Sequence, residues 1–69
     1  GIAKIELDAQ INYQNQTSSL EIMLVTEGGA VINNQLVLKR GEAAALFANE
    51  TYQLTASGHS TLFKSFVPL

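Results

Sequence analysis

One histidine, His59, is the residue of this 69-residue sequence best suited to acid–base or metal chemistry. It follows Gly58 in a predicted turn, and the sequence contains no cysteine. Zinc and iron sites need several imidazole, thiolate or carboxylate groups that converge on one ion. Ser57 and Ser60 flank the histidine, but neighbours along a turn rarely face one another, and no acid stands nearby to orient the imidazole as a base. We therefore expect a solvated turn histidine and no metal or nucleophile site.

The six acidic residues offer a second route to chemistry. Glycosidase-type catalysis places two carboxyl groups with separated pKa values across a cleft, and the spacing of these acids indicates no cleft. The basic pair Lys39-Arg40 is expected to be a solvated strand end. Gly28-Gly29 lacks the lysine and further glycines of a phosphate loop, so we expect a hairpin turn there. We expect all six acids to be solvated surface groups: Glu6, Asp8, Glu21, Glu27, Glu42 and Glu50.

Length and composition argue against several classes of protein. The net charge is -2 and no basic patch is present, so we expect no nucleic-acid partner. The longest apolar runs, such as residues 43–48, are too short to span a bilayer, and no secretory signal precedes them, so we expect a cytoplasmic protein. The length predicts a single domain with a marginal core. Because the chain begins with Gly1 rather than methionine, we expect an excised domain of a larger protein.

Apolar and polar residues alternate along the chain, which is the two-residue period of strands and not the 3.6-residue period of helices. Residues 2–8 predict a first strand, with Ile5 and Leu7 on its apolar face. Residues 20–27 predict a second strand. The polar segment between them, residues 12–19, is predicted to be a loop.

Asparagine and glycine mark turns between the later strands. Asn33-Asn34 predicts a two-residue hairpin, because asparagine tolerates left-handed backbone. Residues 57–60 predict a last hairpin before a final strand. Residues 42–48 fit a helical turn, on their alanine content, or a short buried strand, which we favour because Gly41 precedes them and a polar turn follows. Together these elements predict an all-β domain of about seven or eight short antiparallel strands in a small sandwich or barrel.

Residues 15–28 resemble the first sequence motif of the cupin family. That motif has two histidines and then a glutamate, which six residues separate from a glycine. Glu21 and Gly28 match the glutamate and the glycine with this spacing. Asn15 and Thr17 stand where the motif has its histidines. The resemblance implies a cupin-like jelly roll that has lost these two metal ligands.

Residues 41–52 resemble the second cupin motif, which begins with a glycine and ends with a histidine. Gly41 matches the first position, whereas Phe47 and Asn49 replace an internal proline and glycine. Tyr52 replaces the closing histidine. A single remaining ligand, Glu21, cannot hold a metal, so we expect no metal, catalytic or cofactor-binding residue in this chain.

A narrower resemblance, over residues 19–69, is to the C-terminal end of class I mannose-6-phosphate isomerases. Residues 25–29 and 38–50 carry it through an apolar strand that enters a Glu-Gly turn and through a later Ala-Asn-Glu turn. Members of that family end in a small cupin domain of this length. They interconvert mannose 6-phosphate and fructose 6-phosphate with a zinc ion whose ligands lie earlier in the chain. The resemblance implies that residues 1–69 are an inactive terminal domain that packs against and supports the catalytic domain of the same protein.

Two other functions fit the same residues. A metal-free cupin could bind a small ligand such as a sugar in its mouth, in which case Tyr52, Asn15 and Glu21 are the candidate cavity-lining residues. Alternatively, the domain could be an interaction module that forms a weak homodimer through an edge strand, for which residues 2–8 are the candidate.

Overall fold

The computed structural model describes residues 1–9, 12–17 and 19–67, and these residues form eight β-strands and no helix. No segment of this part of the chain is a helix of the length and apolarity needed to cross a bilayer. The all-β prediction is confirmed. In chain order the strands are β1 (Ile2–Leu7), β2 (Tyr13–Gln16), β3 (Glu21–Glu27), β4 (Gly29–Ile32), β5 (Leu36–Lys39), β6 (Ala43–Leu46), β7 (Thr51–Thr55) and β8 (Ser60–Phe66).

The strands form two four-stranded antiparallel sheets that pack face to face. The first sheet has the order β1-β8-β3-β6 and the second has the order β2-β7-β4-β5. Of the connections between the described strands, all except β4–β5 cross from one sheet to the other. This order and these crossings are those of an eight-stranded jelly roll, a double-sheet architecture built from Greek keys.

The core lies between the sheets and is made by alternate residues of each strand. In β1, Ile5 and Leu7 are buried, which confirms the predicted apolar face. In β3, the inward residues are Glu21, Met23 and Val25, so a carboxylate shares a face with two apolar side chains. The largest fully buried side chains are Tyr52, Leu7, Met23, Leu54, Leu62 and Val25.

One predicted turn and one predicted strand have the expected local structure. Asn33 and Asn34 both have positive φ, at 53° and 57°, and Gln35 N–H donates to the carbonyl oxygen of Ile32 over 3.0 Å. This is the two-residue hairpin that joins β4 to β5. The segment that could have been a helical turn is a strand, as favoured, because β6 pairs along β3 from Leu24 opposite Ala43 to Glu21 opposite Leu46. The prediction that this strand is buried is wrong, because it lies at the edge of the sheet with Ala43 and Ala45 exposed.

The predicted loop at residues 12–19 is wrong over its central part, which is strand β2. Its polar side chains do not prevent a strand, because Gln14 and Gln16 point to solvent while Tyr13 and Asn15 are half-buried. Backbone pairing with β7 supplies the hydrogen bonds that the composition does not reveal. The connections at residues 28–29 and 57–60 are not hairpins, since each leads from one sheet to the other.

The outer faces of the two sheets differ in polarity. The outer face of the first sheet exposes Ile22 and Leu24 of β3, Phe63 of β8 and Ile2 of β1. Leu24 stands directly opposite Phe63 in the β3–β8 pairing and is two residues from Ile22, so these three side chains are contiguous, while Ser65 lies between Ile22 and Ile2. We call these four residues the apolar face. The outer face of the second sheet carries polar side chains along β2 and β7, namely Gln14, Gln16, Thr51, Gln53 and Thr55.

Candidate functional site

The three candidate cavity-lining residues come from three different strands and meet at one end of the sandwich. Asn15 of β2 is paired with Tyr52 of β7 in the register of the second sheet. Glu21 is the first residue of β3 in the first sheet, and the hydroxyl of Tyr52 lies 3.5 Å from its Oε1 atom. Tyr52 and Glu21 are 31 positions apart in the sequence. The alternation of each strand turns all three toward the space between the sheets.

Glu21 is buried, so the prediction of a solvated surface carboxylate is wrong for this acid. It is 5% exposed because it shares the inward parity of β3 with Met23. Lys64 of β8 lies beside it, with its Nζ atom 3.7 Å from Oε1 of Glu21. An ionised carboxylate is stable inside a protein when an opposite charge and polar groups replace water around it.

Lys64 is the site residue that sequence reasoning missed. It is 8% exposed, and its ammonium lies 5.4 Å from the centroid of the Phe66 ring, within the range of a cation–π contact. The signal was present in the alternation of the last strand, because Lys64 has the same parity as buried Leu62. A lysine at an inward position requires a charged or polar partner, and Glu21 provides it.

Tyr52 is packed and not open to solvent. It is 1% exposed, and its ring lies 6.2 Å from that of Tyr13, centroid to centroid, with an angle of 36° between the planes. Burial raises the pKa of the Tyr52 hydroxyl far above its usual range. The phenol therefore remains neutral at physiological pH and can donate a hydrogen bond toward Glu21.

Thr17, the other position matched to a cupin histidine, organises a turn. Its Oγ1 hydroxyl donates to the carbonyl oxygen of Phe47 over 2.6 Å and accepts from Glu50 N–H over 2.9 Å. Its backbone N–H and carbonyl oxygen also bond to Glu50 and Asn49. Buried Thr17 therefore fixes the turn between β6 and β7, which in turn sets the position of Tyr52.

The remaining candidates for chemistry have structural roles. His59 is exposed, as expected, but the expectation that no acid lies near it is wrong, because Asp8 directly follows β1 and places its Oδ1 atom 3.0 Å from Nδ1 of His59. This hydrogen bond with Asp8 raises the pKa of His59. Ser60 is buried, and its hydroxyl donates to the carbonyl oxygen of Gly29 over 2.8 Å and accepts from Gly29 N–H over 3.1 Å. The serine hydroxyl therefore ties the start of β8 to the start of β4.

The donor set does not fit a zinc ion. Within residues 1–9, 12–17 and 19–67, no three histidine, cysteine, aspartate or glutamate side chains come together as a metal site would require. The polar end of the sandwich offers one carboxylate, one ammonium, one phenol and one amide. These groups can donate and accept hydrogen bonds, but they do not form a pair of nucleophile and base.

An open groove lies on the second sheet, away from this polar end. It has a volume of about 390 Å³ and passes over β4 between Val37 and Lys39 of β5 on one side and Thr55 of β7 on the other. Gly29 forms part of the groove wall, where it has no side chain to fill the space. Tyr52, Asn15 and Glu21 do not line the groove, so the candidate residues and this depression are separate features.

Comparison with known proteins identifies no family, so the class of this protein is described by its fold. No family model matches the chain, and no curated protein matches its sequence. The structure defines an all-β domain with the strand order of a jelly roll and a buried polar cluster at one end, made by Asn15, Glu21, Tyr52 and Lys64.

Proposed function

We propose that this chain is a non-catalytic jelly-roll domain that packs the apolar face of its first sheet against a larger catalytic domain. The observation that carries the proposal is the contrast between the two outer faces. Ile2, Ile22, Leu24 and Phe63 are exposed on one, whereas glutamine and threonine cover the β2–β7 half of the other, on which Val37 of β5 is the exposed apolar residue. Contiguous exposed apolar side chains of this kind usually mark a surface that another protein surface covers.

The charges near the apolar face fit this role. Lys4 and Glu6, on the outer side of β1, lie within 3.2 Å of each other and neutralise one another. A docking domain can cover this face without having to desolvate an unpaired charge. A covering surface that places apolar side chains against Ile22, Leu24 and Phe63, and polar groups against the Lys4–Glu6 pair, would complement this face.

We infer that the larger protein is a mannose-6-phosphate isomerase-like enzyme, on the resemblance of residues 25–29 and 38–50. The jelly-roll strand order agrees with the terminal domain that this resemblance implies. Three of the four positions matched to cupin ligands, Asn15, Glu21 and Tyr52, converge at one end of the sandwich, whereas Thr17 bonds to the turn between β6 and β7. In this proposal the zinc ion and the reacting groups belong to the catalytic domain, and the jelly-roll domain of residues 1–69 stabilises the catalytic domain.

A pair of matched substitutions tests the docking surface. In the complete product of the gene that encodes this chain, Leu24→Lys on the apolar face is compared with Gln14→Lys on the polar face. We expect Leu24→Lys to lower the thermal midpoint of the complete protein by several degrees and Gln14→Lys to leave it unchanged. In the isolated 69-residue chain both substitutions lie at the surface, so neither should change the midpoint.

The outcomes separate the two parts of the proposal. An equal effect of Leu24→Lys in the isolated chain and in the complete protein would refute the docking surface. Absence of mannose 6-phosphate isomerisation by the complete protein would refute the enzyme family and leave the docking surface standing. For the isolated chain we expect neither isomerisation nor stoichiometric zinc by elemental analysis, and zinc that is lost on Tyr52→Ala would contradict this.

A second candidate function is the binding of a small ligand such as a sugar at the polar end of the sandwich, where Glu21, Tyr52 and Lys64 are buried, so that the ligand would have to displace packed side chains to reach them. Lys64 donates, Glu21 accepts, and Asn15 does both, which is a set of groups suited to sugar hydroxyls. On titration with mannose, this function predicts shifts in backbone amide resonances clustered around Tyr52 and reduced by Lys64→Met. No shift at millimolar sugar would eliminate it.

A further inference from the structure

Strand β6 is one edge of the first sheet, and its residues leave that edge open. It pairs with β3 on one side and ends the order β1-β8-β3-β6. Its sequence is Ala-Ala-Ala-Leu, without charge, proline or a bulky exposed side chain within the strand. An edge strand with these properties is a template for another strand, because nothing in it blocks backbone pairing.

The register identifies the backbone groups that point outward. Val25 N–H donates to the carbonyl oxygen of Glu42 over 3.0 Å, and Gly41 N–H donates to the carbonyl oxygen of Val25 over 2.8 Å. Hydrogen-bonded pairs alternate along an antiparallel ladder, so the next bonded residues of β6 are Ala44 and Leu46. The N–H and carbonyl groups of Ala43 and Ala45 consequently point away from β3.

The opposite edge of the same sheet is protected. The outward residues of β1 include Lys4 and Glu6, which form an exposed ion pair of 3.2 Å. Charged side chains along an edge discourage the approach of a second strand. The expectation that β1 would be the pairing edge is therefore less well supported by its surface chemistry than pairing through β6.

We propose that β6 pairs with β6 of a second copy of this chain, antiparallel and across a two-fold axis. The axis passes beside Ala44. Ala43 of each copy then lies opposite Ala45 of the other copy. A strand that meets itself in this way needs no complementary charge, and alanine permits the close approach of a non-hydrogen-bonded pair at the axis. The outward groups of Ala43 and Ala45 then form four hydrogen bonds between the two copies.

Phe47 extends the contact beyond the strand. It follows β6 directly and is 65% exposed, the most exposed aromatic side chain in the described part of the chain. In the antiparallel pairing it lies beside Gly41 of the second copy, which has open space where a side chain would stand. The interface is small, so we expect a dissociation constant on the order of 0.1 to 1 mM.

This pairing is independent of the proposed docking function. Addition of a second β6 extends the first sheet sideways from four strands to eight and leaves the apolar face of each copy uncovered. A domain that docks on Leu24 and Phe63 can therefore bind whether or not the chain dimerises.

The test removes one outward amide without disturbing the ladder to β3. Ala45→Pro deletes an N–H that points away from β3, and proline is tolerated on a strand edge. Ala45→Thr is the matched control, because it retains the N–H and favours a strand. Sedimentation equilibrium between about 0.05 and 2 mM should show concentration-dependent dimerisation of the wild type and Ala45→Thr. We expect Ala45→Pro to weaken association at least tenfold, with a folded far-ultraviolet spectrum.

Amide resonances give a second readout and distinguish the two edges. With rising concentration, the amide protons of Ala43 and Ala45 should shift and gain protection from solvent exchange. A wild type that stays monomeric throughout overturns the proposal. So does a dimer that Ala45→Pro leaves intact, and Lys4→Pro in β1 would then show whether the other edge is responsible.

Discussion

Lys64 and Glu21 lie inside the sandwich as a pair of opposite charges, and each makes the burial of the other tolerable. Sequence reasoning found half of this pair. Glu21 and its neighbours Tyr52 and Asn15 followed from motif positions, whereas Lys64 lies on a strand that those motifs do not reach. The alternation of β8 contained the information, but a lysine among apolar residues is more easily assigned to solvent, and its buried partner becomes evident once the pairing of β3 with β8 is known.

Removal of one member of the pair should be more harmful than removal of both. Lys64→Met leaves the Glu21 carboxylate buried with Tyr52 as its remaining polar neighbour, and we expect a loss of about 3 kcal/mol in the free energy of unfolding. The double variant with Glu21→Leu should recover most of this loss. Urea denaturation of both variants measures the difference, and a double variant no more stable than Lys64→Met would show that the pair has no mutual dependence.

The exposed contact between His59 and Asp8 predicts a dependence on pH. The hydrogen bond raises the pKa of folded His59 above its unfolded value of about 6.5. The contact therefore stabilises the fold at pH values below about 6.5, and this stabilisation is lost as the pH rises through the raised folded pKa. An NMR titration should show the His59 pKa fall in Asp8→Asn. The two proteins should differ in stability at pH 5.5 and become alike at pH 8.

At the scale of the elements, turns and alternating strands were predictable because their causes are local. The hairpin at Asn33-Asn34 and strand β6 follow from backbone preferences and from apolar runs. Strand β2 was not predictable in this way, because Gln14 and Gln16 face water and its pairing partner, β7, lies 37 positions away at Asn15 opposite Tyr52. Crossings between sheets were also missed, since a glycine turn has the same sequence whether the chain returns to its own sheet or enters the other.

Three glycines differ in whether a side chain at their position would be opposed by the backbone conformation, by neighbouring atoms, by both or by neither. Gly28 has a φ of 73°, and a side chain there would meet the Ser60 hydroxyl and, at 2.6 Å, the carbonyl oxygen of His59. Gly41 has a φ of 85° but open space, and Gly58 has open space and no positive φ.

Alanine at each position gives a graded prediction. We expect Gly28→Ala to cost about 3 kcal/mol or more, Gly41→Ala about 1 kcal/mol, and Gly58→Ala close to nothing. Thermal denaturation of the three variants gives the order, and a Gly28→Ala protein as stable as Gly41→Ala would show that Ser60 and His59 adapt without cost.

At the scale of the whole molecule, the jelly roll was predictable as a class, while its surface was not. Composition and period predicted an all-β domain of short antiparallel strands, and the resemblance to cupin motifs implied a jelly roll without giving the order of the strands. The exposed apolar face on the first sheet depends on which parity of β3 faces inward. Because Leu20, Ile22 and Leu24 are more hydrophobic than the opposite parity, which contains Glu21, hydrophobicity alone favours burial of the side of β3 that the structure exposes. The ion pair with buried Lys64 allows Glu21, and with it the Met23 and Val25 side of β3, to face inward.

The position of β8 has a consequence for how the chain acquires its fold. This strand is the last described one in sequence, yet it lies between β1 and β3, with Ile2 opposite Ser65 at one end. Until β8 arrives, the first sheet lacks its centre, and β1 has no neighbour with which to pair. During synthesis from the N-terminus, β1 and β3 are therefore made before β8, the strand that lies between them. Contacts so distant in sequence form slowly. During that interval a β8 supplied by another molecule would fit as well as the chain's own, so we expect strand exchange between nascent copies to be a route by which this domain misassembles.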